Sequence, residues 1–246
     1  MRMGIGQLLK AGAGGGGGPP VTDIFFRSVT LPESFDRPGA PITLTPPAGV
    51  VPGDELIVQY NANAIVVGLD AANSGWFNKG YAVQNFELFQ RTADGTSDDN
   101  FIVPANGEEG LFIMSAWGRS DAAPFGLENF SNGGLASGFH PTDVPLFVAN
   151  FGTGQNRCMN IMFGWTLAFE DIVGTNFVQN FPVGDYAIAY EAATAPGPDN
   201  STMAFFCYYL YEATSTALPA YTPQVLPAPA VGNKAYLSQQ TRWRWN

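Results

Sequence analysis

Charge is scarce in this chain: only 13% of its 246 residues are Asp, Glu, Lys or Arg. Interface cores are depleted in charge, so the scarcity fits a protein whose surface is partly covered by neighbours better than a free cytosolic enzyme. Histidine occurs once, at His140, and cysteine twice, at Cys158 and Cys207. One His and two distant Cys lack the ligand spacing of a zinc site. No stretch approaches the ~20 apolar residues of a membrane-spanning helix, so no membrane insertion is expected. The apolar patch from Ile5 to Leu9 is too short for a signal-peptide core, which points to an unprocessed chain made in a cytoplasm. The glycine run at 14–18 leads into Pro19-Pro20 with no Lys-Ser/Thr after it, so it is not a phosphate loop.

Basic residues are few, and five of the eleven lie at the ends. The net charge is −10. Arg2 and Lys10 at one end, and Lys234, Arg242 and Arg244 at the other, have no acid beside them. The other six basic residues face all 21 acids, which leaves a strongly acidic body. Such a body argues against nucleic acid as a partner, because a phosphate backbone needs a basic surface.

What the chain does have is punctuation. It carries 29 Gly, 19 Pro and 19 Phe, with 46% hydrophobic residues. Turn residues recurring between short apolar runs favour strands over helices. The clearest case is Val51-Pro52-Gly53-Asp54, a turn that launches the apolar run from Leu56 to Tyr60. Strands are expected at 23–30, 41–45, 53–60, 81–91, 101–104, 110–119, 157–169, 177–180, 185–192 and 201–213. A further short one is expected at 65–67. The stretch 110–119, GLFIMSAWGR, is almost continuously apolar, as a strand covered on both faces should be. Residues 120–150 show no regular pattern. The whole reads as an all-β antiparallel β-sandwich, jelly-roll-like, with extended N- and C-terminal arms. Its parts are an anchoring arm at 1–20, a body at 21–213, and a Pro-rich linker with a basic aromatic tail at 214–246.

Several residues are candidates for a site. His140 with Ser137 and Asp143 is the one triad the chain could assemble, and a triad is a matter of geometry. Asp94, Asp98 and Asp99 share one acidic turn, with Glu108 and Glu109 in the next. Their spacing is not that of an EF-hand, and a solvated turn competes with a calcium site. Trp76, Phe77 and Tyr81 could stack on sugar rings, although aromatics at strand positions also serve as core. Cys158 and Cys207 both sit among apolar residues and read as reduced and buried. No cofactor is expected.

The ends are candidate assembly elements. Ile5, Leu8 and Leu9 form a small apolar face that could dock on another protein. Arg242-Trp243-Arg244-Trp245 alternates charge and aromatic, so an extended strand would carry both Trp on one side and both Arg on the other. Trp and Arg are enriched at interface hot spots. The competing arrangement is a tail folded back on its own sandwich.

The pattern from Pro47 through PGDELIVQY, Gly75-Trp76, FELFQRTADG and Trp117-Gly118-Arg119 resembles that of tailed-bacteriophage virion proteins. Phe163-Gly164-Trp165-Thr166 and the later YAIAYEAATAPG are similar to their usual ending, so the resemblance covers 41–213. It implies a β-sandwich of fibre, spike or decoration type, located in the virion and carrying no catalytic residues. Its implied partners are other virion proteins and further copies of itself, with a host surface glycan or receptor as a further one. The alternative function is a carbohydrate- or receptor-binding module, and the third is a glycan hydrolase with two facing carboxylates.

Overall fold

The computed structural model describes residues 24–31, 33–35, 39–62, 68–78, 86–105, 110–119, 133–140, 143–144, 156–168, 187–193, 202–214, 224–225 and 234–244. Within them the chain is all-β and antiparallel, and it divides into two compact units. One unit holds the described residues up to Arg119 and the other those from Gly133 onward. The sequence had suggested a single body from 21 to 213.

The first unit contains β1 (Ile24–Val29), β2 (Glu33–Phe35), β3 (Ile42–Leu44), β4 (Glu55–Ala62), α1 (Leu69–Ala72), β5 (Phe77–Asn78), β6 (Phe86–Thr92), β7 (Phe101–Val103) and β8 (Gly110–Arg119). Its main sheet runs β1-β8-β4-β6-β5, and β2 also pairs with β8. Strands β1 and β2 lie end to end along one edge of β8, with β1 opposite residues 115–119 and β2 opposite 110–112. Thr30 bridges the gap between them. Its N–H donates to Met114 O at 2.9 Å and its Oγ1 accepts from Met114 N at 3.0 Å. A hydroxyl thus continues the ladder across the gap between the two strands.

The expected turn before β4 is present. Pro52 stands at the second position, Gly53 at the third with φ 93°, and Asp54 N donates to Val51 O at 3.0 Å. Only a left-handed residue closes this turn type without a Cβ clash. Gly53 N to Ala93 O and Ala93 N to Asp54 O, both 2.8 Å, extend the β4–β6 ladder past its last formal pair.

Alternation along β4 divides its side chains between two faces. Leu56, Val58 and Tyr60 join Phe89 of β6 and Phe112, Met114 and Ala116 of β8 in one core. The two-stranded sheet β3–β7 supplies Leu44, Phe101 and Val103 to it, and Leu69 and Trp76 complete it. Phe101 is central, its ring 4.9 Å from that of Phe89, 5.4 Å from Trp76 and 6.4 Å from Tyr60. Burying one such side chain stabilises by roughly 1.5–3 kcal/mol. The opposite face is buried as well, at Glu55, Ile57, Gln59, Leu88, Gln90, Ile113, Ser115 and Trp117. Residues 112–118 of β8 are therefore buried on both sides, as the apolar run implied.

Asn73 ties the short helix to the small sheet. Its Nδ2 donates to Leu69 O and to Ile102 O, both at 2.8 Å, and its Oδ1 accepts from Ile102 N at 2.7 Å. The amide side chain pairs with β7 as a strand backbone would.

The second unit contains β9 (Gly133–His140), β10 (Asp143–Val144), β11 (Asn156–Ala168), β12 (Ala187–Ala193), β13 (Thr202–Thr214), β14 (Gln224–Val225) and β15 (Lys234–Arg244). Five of these form a sheet ordered β12-β13-β11-β15-β9, and β10 pairs with β14. Two expectations are corrected here. The stretch 120–150, expected to be irregular, contains β9 and β10, because small residues such as those of GGLASGFH pair through their backbones without a periodic apolar signal. The stretch 234–244, expected to lie in an arm, is an interior strand between β11 and β9. The folded-back arrangement is the one observed. The expected strands at 65–67 and 177–180 lie outside the described residues.

Candidate functional site

The acidic turn is built by Arg91. Its Nε donates to Asp99 Oδ1 at 3.0 Å, its Nη2 to Asp94 Oδ2 at 2.7 Å and its Nη1 to Gly75 O at 3.1 Å. The Asp99 carboxylate is buried and also accepts from the N–H groups of Asp94 and Gly95. Asp94 Oδ1 accepts from Thr96 N and Thr96 Oγ1. The Thr96 hydroxyl and N–H, with the Arg91 charge adding to them, hold Asp94 below the usual carboxylate range. Both carboxylates face N–H and guanidinium donors, which is the geometry of a turn clamp; calcium ligands must face the ion. Among the described residues no group of three His, Cys, Asp or Glu side chains could hold a metal ion. Glu108 and Glu109 lie outside the described residues.

The aromatic candidates separate at one peptide bond. Trp76 is 7% exposed, stands edge-on to Phe101 and donates from Nε1 to Asn100 O at 3.2 Å. Its faces are core surface, so Trp76 is not a sugar platform. Phe77, the next residue, is 66% exposed on β5, at the edge of the sheet opposite Gln90. Tyr81 lies outside the described residues. Alternation along an extended strand sends neighbours to opposite faces, and here one face is the core.

A carboxylate pair that sequence reasoning did not single out lies beside β5. Asn78 Nδ2 donates to Glu87 Oε2 at 2.7 Å and to Asp70 Oδ1 at 3.3 Å. Burial pushes Glu87 above the ordinary glutamate range; the Asn78 hydrogen bond opposes that, and the Asp70 charge adds to it. Burial, with the Glu87 charge, also raises the Tyr60 hydroxyl. A glycosidase needs open space between its two carboxyls for the sugar. Here the Asn78 amide stands between them, so the pair works as a joint linking α1, β5 and β6.

The other calls fall as follows. Ser137 and His140 both lie on β9, while Asp143 pairs with Val225 on a separate sheet. Cys207 is buried and free, with its thiol pushed up by burial and opposed by a hydrogen bond from Tyr190. Cys158 is opposite Glu212 and Cys207 opposite Phe163, five rungs apart on the β11–β13 ladder. At ~3.4 Å per residue that is about 17 Å, far beyond the ~7 Å limit for a disulfide. Arg242, Trp243 and Arg244 sit on β15 opposite Asn160, Met159 and Cys158. Ile5, Leu8, Leu9 and Trp245 lie outside the described residues.

Sequence reasoning missed the residue that holds the Asp54 turn. Arg27 is the extra residue of a bulge in β1, where the register steps from Phe26 to Ser28. A bulge re-aims a side chain, and this one carries Arg27 to Asp54: Nε lies 2.6 Å from Oδ2, and Nη2 donates to Oδ1 at 2.8 Å. Nothing local in the sequence signals a contact across 27 positions.

No protein-family model, curated protein or solved structure matches the chain. No helix among the described residues is long and apolar enough to cross a membrane.

Proposed function

We propose that the chain is a non-enzymatic structural subunit of a bacteriophage virion, of fibre, spike or decoration type, held among other virion proteins and further copies of itself. The observation that carries this reading is the use made of buried carboxylates. Asp54 binds Arg27 and a turn N–H; Asp99 binds Arg91 and two backbone N–H groups. Glu55, fully buried, accepts from Gln90 Nε2 at 2.6 Å and from Thr92 Oγ1 at 3.1 Å. Each of these acids joins one strand or turn to another. The residues of the phage-like pattern do the same: Asp54 locks its turn, Gly75 receives Arg91, and Trp76 and Trp117 are core. These roles support an architectural reading of the pattern. Mass spectrometry of purified particles tests the proposal. The chain should be present at stoichiometric level after gradient purification; its absence from intact particles would overturn the reading.

Phe77 favours a second reading, a module that binds a surface glycan or receptor. A phenyl ring 66% exposed at a sheet edge can stack on the C–H face of a sugar. Loss of glycan binding in Phe77→Ala, with unchanged unfolding, would support it. Equal binding by both proteins would remove it.

A further inference from the structure

We propose that the Asp94-Gly95 peptide is a latent isomerisation site silenced by its own turn: Thr96 and Arg91 hold the Asp94 carboxyl, Asp99 holds the Gly95 nitrogen, and the two close into a succinimide only when the turn opens. The inference stands without the virion reading.

The chemistry sets three requirements. The Gly95 nitrogen attacks Asp94 Cγ; a C–N bond forms, and the carboxyl hydroxyl leaves with the amide hydrogen as water. Water then opens the five-membered ring at either carbonyl, which restores aspartate or gives isoaspartate with no net change of mass. The carboxyl must be protonated, because a carboxylate is a poor electrophile. The nitrogen must be free to turn toward Cγ, and the backbone must be able to bring the two together. A glycine in the second position has no side chain to hinder the approach and the widest choice of backbone conformation. Asp94-Gly95 is the one Asp-Gly pair in the chain.

The turn needs both residues. Gly95 stands at φ 80°, in the left-handed region, and a Cβ there would lie 3.3 Å from Pro52 Cγ. Asp94 Oδ1 accepts from Thr96 N at 2.9 Å and from Thr96 Oγ1. Burial offers no protection, since the Asp94 side chain is 49% exposed and Gly95 is exposed beside it. The reactive pair is therefore built into the fold and in contact with water.

Hydrogen bonds oppose each requirement instead. The two Thr96 donors, with Arg91 Nη2 at 2.7 Å from Oδ2, favour the ionised carboxyl and hold it below the usual carboxylate range. Gly95 N donates to Asp99 Oδ2 at 2.8 Å. The Asp99 carboxylate is itself fixed: its side chain is 3% exposed, and it accepts from Arg91 Nε at 3.0 Å and from Asp94 N. Turning Gly95 N toward Cγ breaks its bond to a buried charged acceptor. The rate then follows the fraction of time the turn is open.

The test incubates the full chain and a synthetic peptide of residues 90–100 side by side at mildly acidic pH. Isoaspartate at position 94 is read by electron-transfer fragmentation of digests. A site-resolved readout is needed because Asn106-Gly107 and Asn132-Gly133 also form succinimides. The folded chain should isomerise at least about tenfold more slowly than the peptide, because it reacts only through local opening. Asp99→Asn, confirmed as folded by its thermal unfolding, should isomerise several-fold faster than the parent. If Asp99→Asn does not fold, Thr96→Val takes its place; it lacks the hydroxyl donor to Asp94 and should also isomerise faster. Equal rates in the folded chain and the peptide overturn the proposal. A folded chain faster than the peptide overturns it too, since Asp99 would then be assisting the attack. A folded variant that reacts at the parent rate likewise overturns it.

Discussion

Arg27 and Asp54 form a two-point ion pair between a bulge and a turn, at 2.6 and 2.8 Å, with the Asp54 side chain only 3% exposed. Asp54 also accepts from Val51 N at 2.9 Å. Removing the acid leaves a guanidinium without its partner and a turn N–H without its acceptor. Asp54→Ala should cost about 3 kcal/mol, at the lower end for a buried pair because Arg27 keeps some contact with water. Arg27→Met should cost less. Urea unfolding of both single variants and the double variant checks this; additive losses would mean that the two residues are not coupled.

Gly75 and Arg91 make a second relation of this kind. A Cβ at Gly75 would collide with Arg91 Nη1, which donates to Gly75 O. Gly75→Ala should therefore displace the guanidinium from the Asp94–Asp99 turn and lower the unfolding midpoint. In an Arg91→Ala background the same substitution should cost little. Equal costs in both backgrounds would show that Gly75 is needed for some other reason.

Glu87 gives a pH dependence whose sign follows from its raised value. Its carboxyl holds its proton to higher pH folded than unfolded, so the native state loses stability as pH rises from the ordinary glutamate range through the raised value. Glu87→Gln keeps an oxygen for Asn78 Nδ2 and removes the charge facing Asp70. The variant should be more stable than the parent at neutral pH, with the difference shrinking as pH falls below the ordinary glutamate range. Thermal midpoints measured across pH check it; a difference independent of pH would count against the assignment.

The two thiols should both be found reduced. Intact mass without reductant should match two free cysteines, and a disulfide reagent should titrate two thiols in denaturant. Under native conditions Cys207 should react only on opening of the fold, because its thiol is buried and its ionisation suppressed. Rapid native labelling of Cys207 would contradict its place in the sheet.

What the sequence determined by itself was local. Pro52-Gly53 specifies a turn through two backbone preferences, and the turn is where those residues place it. The run 110–119 demanded a strand buried on both faces, since seven consecutive residues from 112 to 118 find no water there. Of the candidate site, the acidic turn was legible as a turn, and Trp76 and Phe77 as aromatics of a loop. Their roles were not. Which of Trp76 and Phe77 faces the core depends on where β3–β7 packs, a contact made by residues outside the local stretch. Arg27 finds Asp54, and Asn73 finds Ile102, only after β8 and β7 have brought distant segments together. The same holds for 234–244. Alternating Arg and Trp are compatible with an extended strand, but a strand's neighbours are chosen by the backbone groups still open along β11 and β9, and that choice belongs to the assembled sheet.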